Sequence, residues 1–224
     1  MAGRHRNSKR GPKGTGKPSP DKDRAAHAAA RGVGRKSLSK LSRDDLSAEE
    51  IRAAVLAMHN ETDRGSAIMG AALVELGVKH VCWALVRNLD ATDALFEGVG
   101  APFGTFSAKT LAIYALGYCD KERKREIDAI REIRNQFSHA LRVIDFTLPE
   151  VGAACKLLKK HHMEPKMANA LLPAKSENRV TFEAACLSIT ISLIDKGKEI
   201  AEERKRRLDQ IIADLKESRP NIRD

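Results

Sequence analysis

Residues 61–81, ETDRGSAIMGAALVELGVKHV, decide the fold of this chain. Apolar residues recur at helical spacing along one side of this stretch and its continuation, at Ile68, Ala72, Leu76, Val81 and Leu85. Further apolar residues occupy the other sides. Because a helix that is apolar nearly all round is buried, we predict the central helix of the domain here, from about Thr62 to Arg87.

Three glycines interrupt the central helix, at Gly65, Gly70 and Gly77. A glycine inside a helix destabilises it by up to about 1 kcal/mol relative to alanine. Closer packing, which the missing side chain permits, can compensate for this loss of stability. We therefore expect neighbouring helices to approach the central helix closely at these positions.

Helix signals continue on both sides of this stretch. Ser47 and Glu50 form a capping box that starts a helix at about 48–60. After the central helix we predict a short helix and loop over 90–105, then helices from Ser107 to Gly117, from Asp120 to Leu141, from a Thr147–Glu150 capping box to His161, and over 178–217. The pattern predicts an all-α fold, a compact bundle of about six helices that ends in a long charged helix.

The basic charge of the chain is concentrated at its N-terminus. Residues 1–45 hold thirteen Lys and Arg against four Asp and Glu, whereas residues 46–224 hold 27 against 26. The first segment has almost no large apolar residue before Val33, so we predict a disordered basic tail over 1–45 and a helical domain over 46–224. Such a tail attracts nucleic acid without reading its sequence, or it only keeps the protein soluble.

The remaining composition favours a cytoplasmic protein. The chain has no apolar run of about 18 residues and no apolar segment after its N-terminus, so we predict neither membrane insertion nor secretion. Its four cysteines are far apart in apolar surroundings, which is typical of reduced core thiols. His161 and His162 are adjacent and point about 100° apart on a helix, so they do not suit joint metal binding. We predict no metal and no cofactor.

The stretch REIRNQFSHAL, residues 131–141, carries the candidate site. Ile127, Ile130, Ile133, Phe137 and Leu141 share one helical face, and Arg134 falls within that face. A buried guanidinium needs a carboxylate, so we predict an ion pair with Asp63 or Glu61. Asn135 and His139 lie one turn apart on a shared edge, which predicts a polar cluster at the rim of the core.

These residues form the pattern R-N-x-x-x-H, which resembles the HEPN superfamily of small helical domains. The resemblance implies a possible RNA-cleaving site in which Arg134 and His139, usually contributed by two subunits, act without metal. The chemistry suits these residue types, because His139 can transfer protons near neutral pH and Arg134 can stabilise the charge of the phosphorane.

A longer resemblance covers residues 60–142. The segments ETDRGSAIMGAALVELGVKHV, LFEGVGAPFGTFSAKTLAIYALGYCDKE and IREIRNQFSHAL are similar, in order, to the mannitol operon repressor family. This resemblance implies an all-helical fold without a recognisable helix-turn-helix and a role in transcription regulation. It also implies that the HEPN-like motif is shared architecture that need not be catalytic.

Two hypotheses follow. The first is a non-enzymatic helical regulator, a homo-oligomer that acts through contacts with a protein or through binding of nucleic acid by its tail. In it, Glu61, Asp63, Arg64 and Arg134 form a structural network. The second is a metal-independent ribonuclease with a toxin or defence role, for which Arg134, Asn135 and His139 are the catalytic candidates. Ser107 and Lys109 are further binding candidates, although we expect Ser107 to cap its helix and Lys109 to be exposed in the first turn.

Overall fold

The computed structural model describes residues 46–86, 92–161 and 175–217, and the predicted disordered tail over 1–45 lies outside them. Contacts divide the chain into Met1–Ser47 and Ala48–Asp224. The prediction of an all-α fold is confirmed, because every regular element of the described part is helical. The elements are α1 (Ala48–Asn60), α2 (Asp63–Leu85), α3 (Thr92–Phe96), α4 (Phe106–Ala115), α5 (Lys121–His139), α6 (Pro149–Cys155), a 3-10 helix (Lys156–His161) and α7 (Glu177–Glu217).

Helix α2 is the centre of the domain. It packs most extensively against α7 and also contacts α5, α1 and α4. Ala67, Val74 and Val78 are fully buried, whereas Ile68 is exposed, so α2 keeps one strip in solvent. Its length and composition would suffice to cross a membrane, and ten of its residues are buried within the described bundle.

The central glycines lie where α7 approaches α2. A Cβ added at Gly70 would lie 2.8 Å from Cε1 of Phe182, and one at Gly77 would lie 3.0 Å from Cβ of Leu193. The prediction of close helix approach is therefore confirmed at these two positions. At Gly65 the nearest atoms belong instead to Glu61, which precedes the same helix.

The observed helix starts agree with the sequence at some caps and differ at others. Thr62 and Asp120 accept hydrogen bonds from backbone N–H groups in the first turns of α2 and α5. The cap predicted at Ser107 is wrong, because the hydroxyl of Thr105 caps α4. The cap predicted at Thr147 is also wrong, because Thr147 donates its hydroxyl to Asp145 and α6 begins at Pro149, which has no backbone N–H to be capped.

Aromatic contacts within the core join parts of the chain that are distant in sequence. Phe146 lies 5.0 Å from Phe137 and 5.2 Å from Phe182, measured between ring centroids. This cluster joins α5, the segment before α6, and α7. Leu141 is not in the core as predicted: α5 ends at His139, and the side chain beyond that end is exposed.

The long last helix has two parts. Up to about Ile200 its apolar residues pack on the core, including Phe182, Ile189 and Leu193. Residues 201–216 are exposed throughout. The predicted charged C-terminal helix is thus present, and its second half carries little contact with the body.

Candidate functional site

The R-N-x-x-x-H motif lies on the last turns of α5, at the boundary between core and solvent. Ile133 and Phe137 are buried, whereas His139 is exposed and Asn135 is half-buried. Arg134 keeps 33% of its side chain exposed, and its Nη1 donates to Oδ1 of Asn135 at 3.3 Å. The motif therefore forms a polar rim, with its arginine directed along the surface of the core.

Glu75 of α2 lies between two cations. Its Oε1 is 2.8 Å from Nζ of Lys109, and its Oε2 is 3.8 Å from Nη2 of Arg134. We call Glu75, Lys109 and Arg134 the Glu75 cluster. The lysine also donates to the carbonyl of Phe103 at 3.4 Å.

The expectation that Lys109 is exposed was wrong. Only 6% of the residue is accessible, because α4 packs on α2 and turns this side chain towards Glu75. Ser107 is exposed in the first turn of α4, with its Oγ 3.3 Å from Oγ1 of Thr105. The two binding candidates thus differ in accessibility, since Lys109 is buried in an ion pair and Ser107 faces solvent.

The predicted ion pair of Arg134 with Asp63 or Glu61 was also wrong. Helix α5 runs antiparallel to α2, since Arg64 donates to the carbonyl of Ala140 at 2.5 Å while Arg134 reaches Glu75. Asp63 precedes Glu75 by twelve residues, or about 18 Å of helix. The antiparallel register therefore places Arg134 opposite Glu75.

Asp63 instead binds residues that follow α5. Its Oδ1 is 2.6 Å from Nη1 of Arg179, and its Oδ2 accepts the backbone N–H of Phe146 at 2.9 Å. Of the four residues predicted to form one network, Arg134 belongs to the Glu75 cluster, while Asp63 and the backbone of Glu61 contact Arg179. Arg64 makes the separate contact at Ala140.

A buried ionic network surrounds Arg179 in the first turn of α7. Its Nε donates to Oε1 of Glu183 at 2.8 Å, and that oxygen also accepts the hydroxyl of Ser66 at 2.8 Å. The second carboxylate oxygen, Oε2, lies 3.1 Å from Nδ1 of His59. We call Asp63, Arg179, Glu183, Ser66 and His59 the Arg179 network.

The same guanidinium stabilises the end of α1. Nη2 of Arg179 donates to the carbonyl oxygens of Met58, His59 and Glu61, at 3.2, 3.0 and 2.8 Å. Carbonyls at a helix C-terminus lack partners within the helix and carry partial negative charge, so a cation there is favourable. Glu61 thus takes part through its backbone, and its side chain is exposed.

The sequence contained a signal for the Arg179 network that was missed. Arg179, Glu183 and the buried Cys186 are spaced i, i+4 and i+7, which places two charges on the apolar face of α7. Charges on an apolar helical face need partners of opposite charge, so this spacing predicts a buried ion pair.

The cysteines are unsuited to nucleophilic chemistry. Burial raises the pKa of the Cys82 and Cys119 thiols to about 11 and that of Cys155 to about 12. Burial also raises the pKa of Cys186. A nucleophilic cysteine needs its thiolate, so the raised pKa values favour the protonated, less reactive form of all four thiols at neutral pH. Within the three described ranges, His, Cys, Asp and Glu form no group of three that could hold a metal.

A groove of about 840 Å³ lies between α5, α6 and the connection that joins them. It is mainly apolar, and its lining includes Ile133, Leu141, Ile144 and Val151. Arg134 and His139 do not line this groove, so it offers no substrate cleft to the motif.

Comparisons with known proteins found no matching family model, no matching curated protein and no matching solved structure.

Proposed function

We propose that this protein is a non-enzymatic regulator of transcription that resembles the mannitol operon repressor family in its role. In this proposal it acts in the cytoplasm through contacts with a protein, and its basic N-terminal segment binds nucleic acid without sequence specificity. The observation that carries the proposal is the Glu75 cluster, together with the separation of charge along the chain.

The Glu75 cluster disfavours RNA cleavage by Arg134. An arginine that stabilises a phosphorane must direct uncompensated positive charge at the phosphate. Here the carboxylate of Glu75 lies 3.8 Å from the Arg134 guanidinium and 2.8 Å from Nζ of Lys109, so it offsets only part of the positive charge but holds the arginine beside α2. The cluster therefore supports a structural role for this arginine, in which it helps to hold α5 on α2.

The charge distribution supports contact with nucleic acid through residues 1–45. This segment holds thirteen Lys and Arg against four Asp and Glu, while the remaining residues are nearly neutral. Because phosphate contacts by Lys and Arg release counterions, affinity that arises from this segment must fall steeply with salt.

Deletion of residues 1–45 tests the nucleic-acid part of the proposal. We expect the full chain to bind both duplex DNA and RNA, with a strong salt dependence that the deletion abolishes. Lys121→Gln/Arg125→Gln, which removes two exposed charges from α5, is the matched control and should leave the salt dependence unchanged. Equal binding by the full chain and the deletion variant would exclude the role of the tail.

A metal-independent ribonuclease is the second candidate. The observation that favours it is the exposure of His139, together with the partly exposed guanidinium of Arg134 on the same helix. Incubation of the purified protein with RNA in EDTA separates the two functions, and we expect no cleavage. Cleavage that is lost in His139→Ala and kept in the neighbouring exposed variant Ser138→Ala would establish the nuclease instead.

Regulation itself can be tested in cells. We expect transcript levels to change when the protein is removed and to be restored equally by the wild-type chain and by His139→Ala. Restoration by the wild type alone would show that the regulation needs the histidine, contrary to the proposal.

A further inference from the structure

The second half of α7 exposes a regular apolar stripe. Leu208, Ile211, Ile212 and Leu215 are exposed by 55%, 55%, 42% and 61%. Their spacing of three and four residues is that of a coiled-coil seam. Large apolar side chains in a continuous row on a charged helix are unfavourable in water and mark a contact surface. We call these four residues the α7 stripe.

The stripe continues into a groove on the body. The groove has a volume of about 490 Å³ and includes Leu85, Tyr118 and Ile200. Leu208 and Ile211 of the α7 stripe line the same groove. The apolar surface therefore extends along α7 from Ile200 to Leu215, about 22 Å of helix, and reaches the core helices at the groove.

The charges beside the α7 stripe favour a second copy of the same segment that runs in the antiparallel direction. Residues 201–208 hold four basic and two acidic side chains, whereas residues 209–217 hold one basic and three acidic. The segment is thus positive in its first half and negative in its second. A second copy of the same segment complements it when the two run antiparallel, while a parallel pair would place like charges together.

We propose that residues 201–217 of α7 pair antiparallel with the same segment of a second copy and so form a homodimer. In the antiparallel register that places Leu208 of one copy beside Ile211 of the other, the two stripes meet at these residues, and the contact occurs twice. Leu215 then lies beside Arg204 of the second copy, at the entrance of its groove. Arg207 lies near Asp214 of the second copy, and the two-fold symmetry makes this contact twice.

Both charged residues of this contact are accessible in the single chain. Arg207 pairs with Glu203 of the same helix, and Asp214 accepts a hydrogen bond from Gln210 at 2.8 Å. These are exposed contacts within one helix, which contribute little and are easily exchanged for contacts with a second helix.

The oligomeric state of the full chain tests the proposal. By sedimentation velocity at micromolar concentration we expect a dimer for the wild type and a monomer for Leu208→Asp/Leu215→Asp. The matched control is Leu111→Asp/Leu157→Asp, which changes two leucines that are 56% and 52% exposed elsewhere and should remain dimeric. Urea unfolding should show that the stripe variant keeps its folded core, because its two substitutions lie in the exposed half of α7.

Charge reversal tests the direction of pairing. We expect Arg207→Asp alone to raise the dissociation constant of the dimer at least about tenfold, since it places two like charges together twice. Arg207→Asp/Asp214→Arg should restore the wild-type value. A monomeric wild type, or a dimer that survives Leu208→Asp/Leu215→Asp, would overturn the proposal. Failure of the double reversal to restore pairing would overturn the antiparallel arrangement.

Discussion

Nη1 of Arg179 lies 2.6 Å from Oδ1 of Asp63, although 116 residues separate them in the chain. This ion pair joins the first turn of α7 to the first turn of α2, while the same guanidinium binds the carbonyls that end α1. One nearly buried side chain thus holds three helices together. A buried charge of this kind is stable only while its partners remain, which makes the Arg179 network sensitive to substitution.

Replacement of Arg179 should strongly destabilise the fold. We expect Arg179→Met to lower the free energy of unfolding by about 3–5 kcal/mol, because it leaves the buried carboxylate of Glu183 without its cation. Urea denaturation measures the change. Lys198→Met, which removes an exposed cation 3.6 Å from Asp195, is the control and should change stability by less than about 0.5 kcal/mol. Similar effects of both substitutions would show that the network contributes no more than a surface ion pair.

Gly70→Ala should destabilise the protein although alanine is the better helix former. The added Cβ would lie 2.8 Å from Cε1 of Phe182 and 2.9 Å from Sγ of Cys186, so these two buried side chains would have to shift. We expect a loss of about 1–3 kcal/mol in the free energy of unfolding. Ala72→Gly, on the exposed side of α2, should cost about 1 kcal/mol through helix propensity alone. A stabilising Gly70→Ala would contradict the close packing of α2 and α7.

Glu75→Gln should destabilise the protein more than Lys109→Met. Loss of the carboxylate leaves the buried lysine without an anion and next to the charge of Arg134, whereas Glu75 without Lys109 still has Arg134 nearby. We expect about 3 kcal/mol for Glu75→Gln and about 1–2 kcal/mol for Lys109→Met, measured by urea denaturation. The reverse order would show that the lysine is not held by this carboxylate.

The thiols should be unreactive in the folded protein. Because burial raises the pKa of Cys155 to about 12, iodoacetamide should modify it at neutral pH only after unfolding, as mass spectrometry can show. Above pH 9 the unfolded thiol loses its proton while the folded thiol keeps it, so the free energy of unfolding should fall as the pH rises. This fall should be smaller in Cys155→Ala. Rapid labelling of Cys155 in the native state would contradict its burial.

Local patterns predicted the elements well because they depend on neighbours in the chain. The helix expected at 48–60 is α1, and the capping residue Asp120 starts α5 as predicted. The apolar spacing of α5 placed Ile133 and Phe137 in the core, where they are buried. Prediction failed where two local signals competed, as at Ser107 and Thr105, since either hydroxyl could cap and the path of the chain before α4 selects one.

The sequence by itself determined the helical composition, the central position of α2, the buried face of α5 and the concentration of basic charge before residue 46. Only the tertiary structure decided which charges meet: Arg134 with Glu75, and Asp63 with Arg179. The reason is physical. Helical spacing specifies the face of a side chain within its own helix, whereas the partner of a charge depends on the direction and register of helices that are distant in the chain.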